Sequence, residues 1–171
     1  KDQKDDQIIV VKNSGTFGAP PTQGVSYESG SLSGTTGSSG EFQYEDGKSV
    51  RFFIGEVNLG AAVAGKSVIT AQDLVVDGAP DSPAVFNISR LLLSLDADPD
   101  DEFITIPDAV RTAAVRSNPA VTSAIDFLDF ADDPAFVNAA SQLVAVLTGD
   151  YPFTAALVDG ETAQERMIKG P

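Results

Sequence analysis

The chain has 171 residues, with 25 acids against 11 bases for a formal net charge of −14, and it contains neither cysteine nor histidine. That inventory excludes disulfides, thiolate and Ser-His-Asp chemistry, and every metal site built on His or Cys. So acidic a surface also repels nucleic-acid phosphates and anionic lipid, so no nucleic-acid partner is expected.

Apolar residues make up 42% and charged residues 21% of the chain, the composition of an ordered globular protein. A chain of this length buries about 70% of the surface its unfolded form exposes, so it needs no covalent staples. Apolar runs such as Leu91-Leu92-Leu93, which stops at Ser94, fall far short of the ~20 residues that span a bilayer. Direct membrane insertion of this segment is therefore not expected. The charge is unevenly placed: residues 1–70 hold eight acids and six bases, whereas residues 71–171 hold seventeen and five.

Residues 1–7, with five charged side chains and no apolar one, read as a flexible solvated tail. The sequence admits two origins for it: the remnant of a removed export or lipid-anchor segment, or a frayed or vector-derived end. Eleven of the fifteen glycines then fall before residue 66, among short β-type runs at 8–12, 25–29, 41–45, 50–54 and 56–59. Phe42 and Tyr44 alternate with Glu41, Gln43 and Glu45, as in a half-buried strand. The Asp46-Gly47 pair that follows is the turn signal of a hairpin, so the strands at 41–45 and 50–54 are expected to pair antiparallel.

Residues 60–67 fit the phosphate-loop pattern G-x-x-x-x-G-K-[ST], with Gly60, Gly65, Lys66 and Ser67 at the fixed positions. The motif requires a helix beginning at the lysine, whereas Val68-Ile69-Thr70 is a β-branched run. Asp77, the imitation of a magnesium aspartate, arrives only ten residues after Ser67, too soon for a crossover helix. The segment reads as a link out of the β half.

After residue 70 the period becomes helical. Ser82-Pro83 is a helix start, with Ser as cap and Pro at the first position. Val85, Ile88, Leu92 and Leu95 form its stripe, widened by Phe86, Leu91 and Leu93, so this helix is expected to be buried on most sides. Shorter helices are expected near 108–116 and 119–130. Asp133-Pro134 opens another, with Phe136, Ala140, Leu143, Val144 and Leu147 inward and Gly149 as its stop. A last short helix is expected around 161–168. Asn87-Ile88-Ser89 is a glycosylation sequon placed on a buried helix, where an acceptor does not belong. Asp126, Asp129, Asp132 and Asp133 read as a solvated face plus a cap. Nothing in the spacing selects a glycosidase pair.

The run Asp96-Ala97-Asp98-Pro99-Asp100-Asp101-Glu102 is of another kind. Its D-x-D-x-D spacing turns alternate carboxylates of an irregular loop toward one centre, and an oxygen-only set suits calcium. Asp96, Asp98, Asp100 and Glu102 are the candidate ligands, with Asp108 closing the site from the next helix and Phe103 and Ile104 anchoring the loop. The bland alternative is a solvated acidic turn.

Thr36, Gly40 and Phe42, within the stretch from Gly24-Val25-Ser26-Tyr27 through Gly47 to Val50, resemble the core pattern of carboxypeptidase-regulatory-like and Cna-B-like β-sandwich modules. A longer pattern through Phe53-Ile54-Gly55, Leu59-Gly60, Ile69-Thr70 and Asp73-Leu74 to Leu95-Asp96 is similar to repeats of bacterial cell-surface lipoproteins and adhesins. The resemblance implies a non-catalytic extracellular or periplasmic module, and it leaves the protein or carbohydrate ligand open. The expected architecture is α+β: a small antiparallel sandwich-like part over 8–70 packed against a helical part over 71–171. The expected function is binding or adhesion, with calcium as a stabilising ion. The competing readings are a phosphate-loop nucleotide hydrolase or carboxylate-based hydrolase, and a structural spacer.

Overall fold

A computed structural model describes residues 11–18, 20–76, 82–98, 103–115, 117–126, 129–130 and 133–158, apart from the side chains of residues 126 and 133. The tail at 1–7, most of the run at 8–12 and the helix expected at 161–168 lie outside them.

Alternation of apolar and polar residues builds the first half. Among the described residues it holds nine strands: β1 (Lys12–Phe17), β2 (Thr22–Gln23), β3 (Ser26–Ser29), β4 (Leu32–Thr35), β5 (Glu41–Glu45), β6 (Ser49–Ile54), β7 (Val57–Asn58), β8 (Val63–Ala64) and β9 (Val68–Ile69). In β6, Val50, Phe52 and Ile54 are buried while Ser49 and Arg51 are exposed. In β5, Phe42 is buried between exposed Glu41 and Gln43.

One sheet has the order β5-β1-β9 and a second the order β4-β3-β6-β7, with β8 also paired to β6. The two face each other through aromatic rings. Phe17 stacks on Phe52 at 4.2 Å, Phe42 meets Phe52 edge-on at 5.2 Å, and Tyr27 meets Phe42 at 5.9 Å.

The hairpin expected between residues 41–45 and 50–54 does not form. Strand β5 pairs with β1, in the register Lys12↔Glu45 to Thr16↔Glu41, while β6 pairs with β3 along one edge and with β7 and β8 along the other. The place beside Ser49 and Val50 that a hairpin partner would take is held by Ala64 and Val63. The Asp46-Gly47 reversal itself is present, with Gly47 at φ +79° and the Lys48 amide donating to the Glu45 carbonyl at 3.0 Å. It carries the chain from one sheet to the other, so the apolar faces of β5 and β6 look at each other instead of lying side by side.

A 3-10 turn (Ala71–Leu74) leads toward the second half, which holds α1 (Pro83–Ser94), the two-residue strand β10 (Ile104–Thr105), α2 (Asp108–Ala113), α3 (Pro119–Asp126) and α4 (Asp133–Leu147). Pro83 opens α1 behind the cap residue Ser82, and eight of the helix's twelve residues are buried, as its broad apolar stripe requires.

The architecture is α+β with a strand-rich N-terminal half. The strands are not all antiparallel as expected: β9 runs parallel to β1, and β10 runs parallel to β2. Strand β10, short enough to escape any periodicity, inserts residues of the helical half beside the β half. Phe17, Phe52, Ile88, Leu92, Phe136 and Leu143 belong to one buried apolar cluster drawn from both halves. Among the described residues no helix is long and apolar enough to cross a membrane.

Because Leu143 is fully buried in that cluster, Leu143→Ala is expected to cost about 2–5 kcal/mol and to keep a single unfolding transition. Urea melts read by circular dichroism and by amide exchange in β1 and β5 check this; two separate transitions would show independent halves.

Candidate functional site

The acidic loop leaves the C-terminus of α1. Asp96 is only 2% exposed, and its Oδ1 accepts the amides of Asp98 and Thr105, each at 3.0 Å. The Ala97 amide donates to the Thr105 carbonyl at 2.8 Å. Asp96 therefore fastens the exit of α1 to β10. The Tyr151 hydroxyl donates to the Leu95 carbonyl, and burial, followed by the Asp96 charge, pushes this phenol well above its usual range.

Asp98 is exposed. Asp108, whose side chain is 87% exposed, pairs at 2.7 Å with Arg111 on the same helix. Asp100 and Glu102 lie outside the described residues, and among the described residues no three acidic side chains come together as a metal site would need. Of the two proposed anchors, Ile104 is buried as expected, whereas Phe103 is 37% exposed.

Arg111 has a further role. Its Nη1 donates to the carbonyls of Gly24 at 2.8 Å and Ile106 at 3.0 Å, tying α2 to the loop between β2 and β3. Gly24, at φ +97°, must be glycine here, since a Cβ would sit 1.9 Å from the Ile106 carbonyl oxygen.

Thr36, Gly40 and Phe42 each do specific structural work. Thr36 is buried; its hydroxyl donates to the Thr22 carbonyl at 2.7 Å and accepts the Val25 amide at 3.0 Å. Its own amide donates to the Val25 carbonyl at 2.8 Å, and its carbonyl accepts the Gly24 amide at 3.1 Å. Gly40, at φ +79°, accepts the Phe17 amide at 2.8 Å, and a Cβ there would meet the Phe17 carbonyl oxygen at 2.6 Å. Phe42 fills the space between the sheets.

The segment matching a phosphate loop is extended. Val63 and Ala64 form β8, the Ser67 carbonyl accepts the Thr16 amide at 2.9 Å, and Val68 and Ile69 form β9. No helix begins at Lys66, so its backbone amides are not aimed at one point as phosphate cradling requires. Lys66 Nζ instead contacts Asp73 Oδ1 at 2.6 Å, and Asp73 Oδ2 accepts the Thr70 amide at 2.9 Å. Burial by itself would raise the Asp73 carboxyl, but the Lys66 ammonium and the Thr70 amide together hold it below the ordinary 3.8.

The sequon residue Asn87 is 2% exposed and donates to the Phe130 carbonyl while its Oδ1 accepts Arg90. Asp129 is exposed. Asp132 and the side chains of Asp126 and Asp133 lie outside the described residues.

At the seam between α1 and the β half lies a cavity of about 230 Å³, with Leu92 and Leu93 of α1, Ala71 of the 3-10 turn and Ile104 of β10 among its walls. Its only traces in the sequence are small residues, Ala71 and Ser89, at buried positions.

No protein-family model, curated protein or solved structure matches the chain.

Two outcomes test these assignments. Thr36→Val keeps the shape but leaves the Val25 amide and the Thr22 carbonyl short of a partner, and is expected to cost about 1–3 kcal/mol in a denaturant melt. The Lys66–Asp73 pair is partly exposed, so Lys66→Ala is expected to cost less than about 1 kcal/mol. Because the folded pKa of Asp73 is depressed, its contribution is present above the unfolded value near 3.8 and is lost as pH falls below it. Melts at pH 5 and pH 3 should therefore differ less in Lys66→Ala than in the wild type.

Proposed function

We propose that the chain is a non-catalytic binding or adhesion module of a bacterial surface protein, working outside the cytoplasm. The observation that supports this reading is the use made of the side chains that might have carried chemistry. Lys66 and Asp73 bind each other beside a backbone amide, Asp96 caps two amides, and Arg111 clamps two carbonyls and Asp108. Each holds a loop or an element in place. The Thr36–Gly40–Phe42 pattern, which resembles that of surface β-sandwich modules, likewise acts through backbone bonds and packing. The β5-β1-β9 and β4-β3-β6-β7 sheets, facing through aromatic rings, make a sandwich-like body suited to that role. A protein or carbohydrate surface is the expected ligand class.

Protease shaving of intact cells, followed by fractionation with an antibody to this domain, tests the location. The expected result is loss of the domain from the envelope or medium fraction, and recovery only from the cytoplasm would overturn the reading. Turnover of ATP, GTP or glycosides by the purified domain would replace it with a hydrolase. A domain on the surface that binds no matrix protein or glycan would leave a spacer.

Calcium belongs to the same proposal and is supported by the D-x-D-x-D spacing after a helix C-terminus, where a cation relieves both mutual repulsion and the helix dipole. Asp96 holds backbone amides, so its removal would disturb the fold with or without an ion. The informative variant is Asp98→Ala/Asp100→Ala. With about millimolar calcium against EDTA, the wild type is expected to melt higher in calcium by ligand linkage and the variant is not. Equal melting temperatures in the wild type would leave the solvated turn.

A further inference from the structure

We propose that the cavity at the seam binds a small, uncharged, mainly apolar molecule of about one aromatic ring carrying at most one hydrogen-bonding group. Five separate pieces of chain converge on it: the turn after β1, β2, the 3-10 turn, α1 and β10. Size is the first argument. Its volume of about 230 Å³ exceeds the ~150 Å³ at which an apolar cavity in a protein interior accepts benzene.

Charge is the second. The chain carries 25 acids, yet none of the described residues that line this space is ionisable. A charged ligand would lose its hydration there and find no counter-charge. The polar groups present are few. The Thr22 hydroxyl already donates to the Pro20 carbonyl at 3.1 Å, and the Thr70 hydroxyl lies against Asp73. Ser89, facing the cavity from α1, is the group placed to meet a ligand hydroxyl or ring N–H. A few placed polar groups in an apolar wall are the usual make-up of a small-molecule site.

The shape is built in. Leu92, Leu93 and Ile104 are buried and form the deep end, while Gln72 is exposed and Thr70 and Gly18 are half-buried, which puts the mouth beside the 3-10 turn. The walls are held by backbone bonds: the Gly18 amide donates to the Ile69 carbonyl at 2.8 Å, and the Ile104 amide to the Pro21 carbonyl at 2.9 Å. A side chain at Gly18 could not close the space, since at φ +99° its Cβ would meet the Pro20 carbonyl oxygen at 2.5 Å. The room is therefore kept by Gly18, Ala71 and Ser89, and a ligand enters a preformed pocket without opening the core.

The inference does not depend on the surface role proposed above; either can fail alone. Titration of the labelled protein with benzene, phenol, indole and benzoate, followed by amide chemical shifts, tests it. Saturable shifts from at least one of the neutral probes are expected at Gly18, Thr22, Ala71, Ser89 and Ile104, with benzoate at least about tenfold weaker, the loss of about 1.4 kcal/mol. Ala71→Leu and Ser89→Leu fill the space and are expected to abolish those shifts; thermal melts identify which of them folds. Should neither fold, the location of the wild-type shifts and the benzoate discrimination decide. No saturable shift with any neutral probe, benzoate binding equal to phenol, shifts centred elsewhere, or unchanged binding in a folded filled variant would each overturn the proposal.

Discussion

Phe52 lies between Phe17 and Phe42, stacked on the first at 4.2 Å and edge-on to the second at 5.2 Å, and the placement of both sheets follows from this contact. Three aromatic rings from β1, β5 and β6 can share one dry space only if β5 and β6 stand on opposite walls of it. Burying these rings removes far more apolar surface from water than a hairpin between β5 and β6 could, because a lone two-stranded pair leaves one face of each ring wet. The turn at Asp46-Gly47 then has to pass from sheet to sheet, and Gly47 permits the reversal.

Besides the shared core and the bond from the Glu56 amide to the Ala114 carbonyl, the helical half is fastened to this body along Thr22 through Val25. The Thr22 carbonyl takes the Thr36 hydroxyl, the Gln23 carbonyl takes the Ile106 amide at 2.9 Å, and the Gly24 carbonyl takes Arg111. Bonds thus reach four residues from the β4–β5 connection, from the β10 segment and from α2. Asp96 secures β10 from its other side. Thr36 of the β half and Asp96 at the exit of α1 are thus parts of one fastening. The cavity lies beside it, where α1 spans the gap between β2 and the 3-10 turn.

The acidity of the chain divides along the same line. Acids at loop ends are engaged with backbone: Glu45 accepts the amide and hydroxyl of Ser31, Asp73 the amide of Thr70, and Asp96 those of Asp98 and Thr105. Such bonds favour the ionised form, and the Glu45 carboxyl is correspondingly held below its ordinary value, chiefly by the Ser31 amide. Other acids, Asp98 and Asp129 among them, face solvent and add to the field that repels polyanions.

Local signals determined what local physics can decide. Ser82-Pro83 and Asp133-Pro134 placed the starts of α1 and α4, because proline's fixed φ suits a helix's first turn and its missing amide costs nothing there, although the Ser82 side chain makes no capping bond. Alternation around Phe42 and Val50 marked β5 and β6 and their inward faces, because side-chain direction repeats every second residue. The β-branched Val68-Ile69 after Lys66 already argued against a phosphate-loop helix, and that stretch is β9. The role of Asp96 was not legible: a D-x-D-x-D run looks the same whether its first carboxylate holds an ion or two amides. Strand partners were beyond the sequence as well. A strand's period does not name its neighbour, and β5 went to β1 because β8 occupies the edge of β6 nearest the turn. Strands of two residues, β2 and β10, have no period to read. The cavity is a property of no segment at all. It is the volume left when five pieces of chain, each obeying its own backbone bonds, close around side chains too small to fill it.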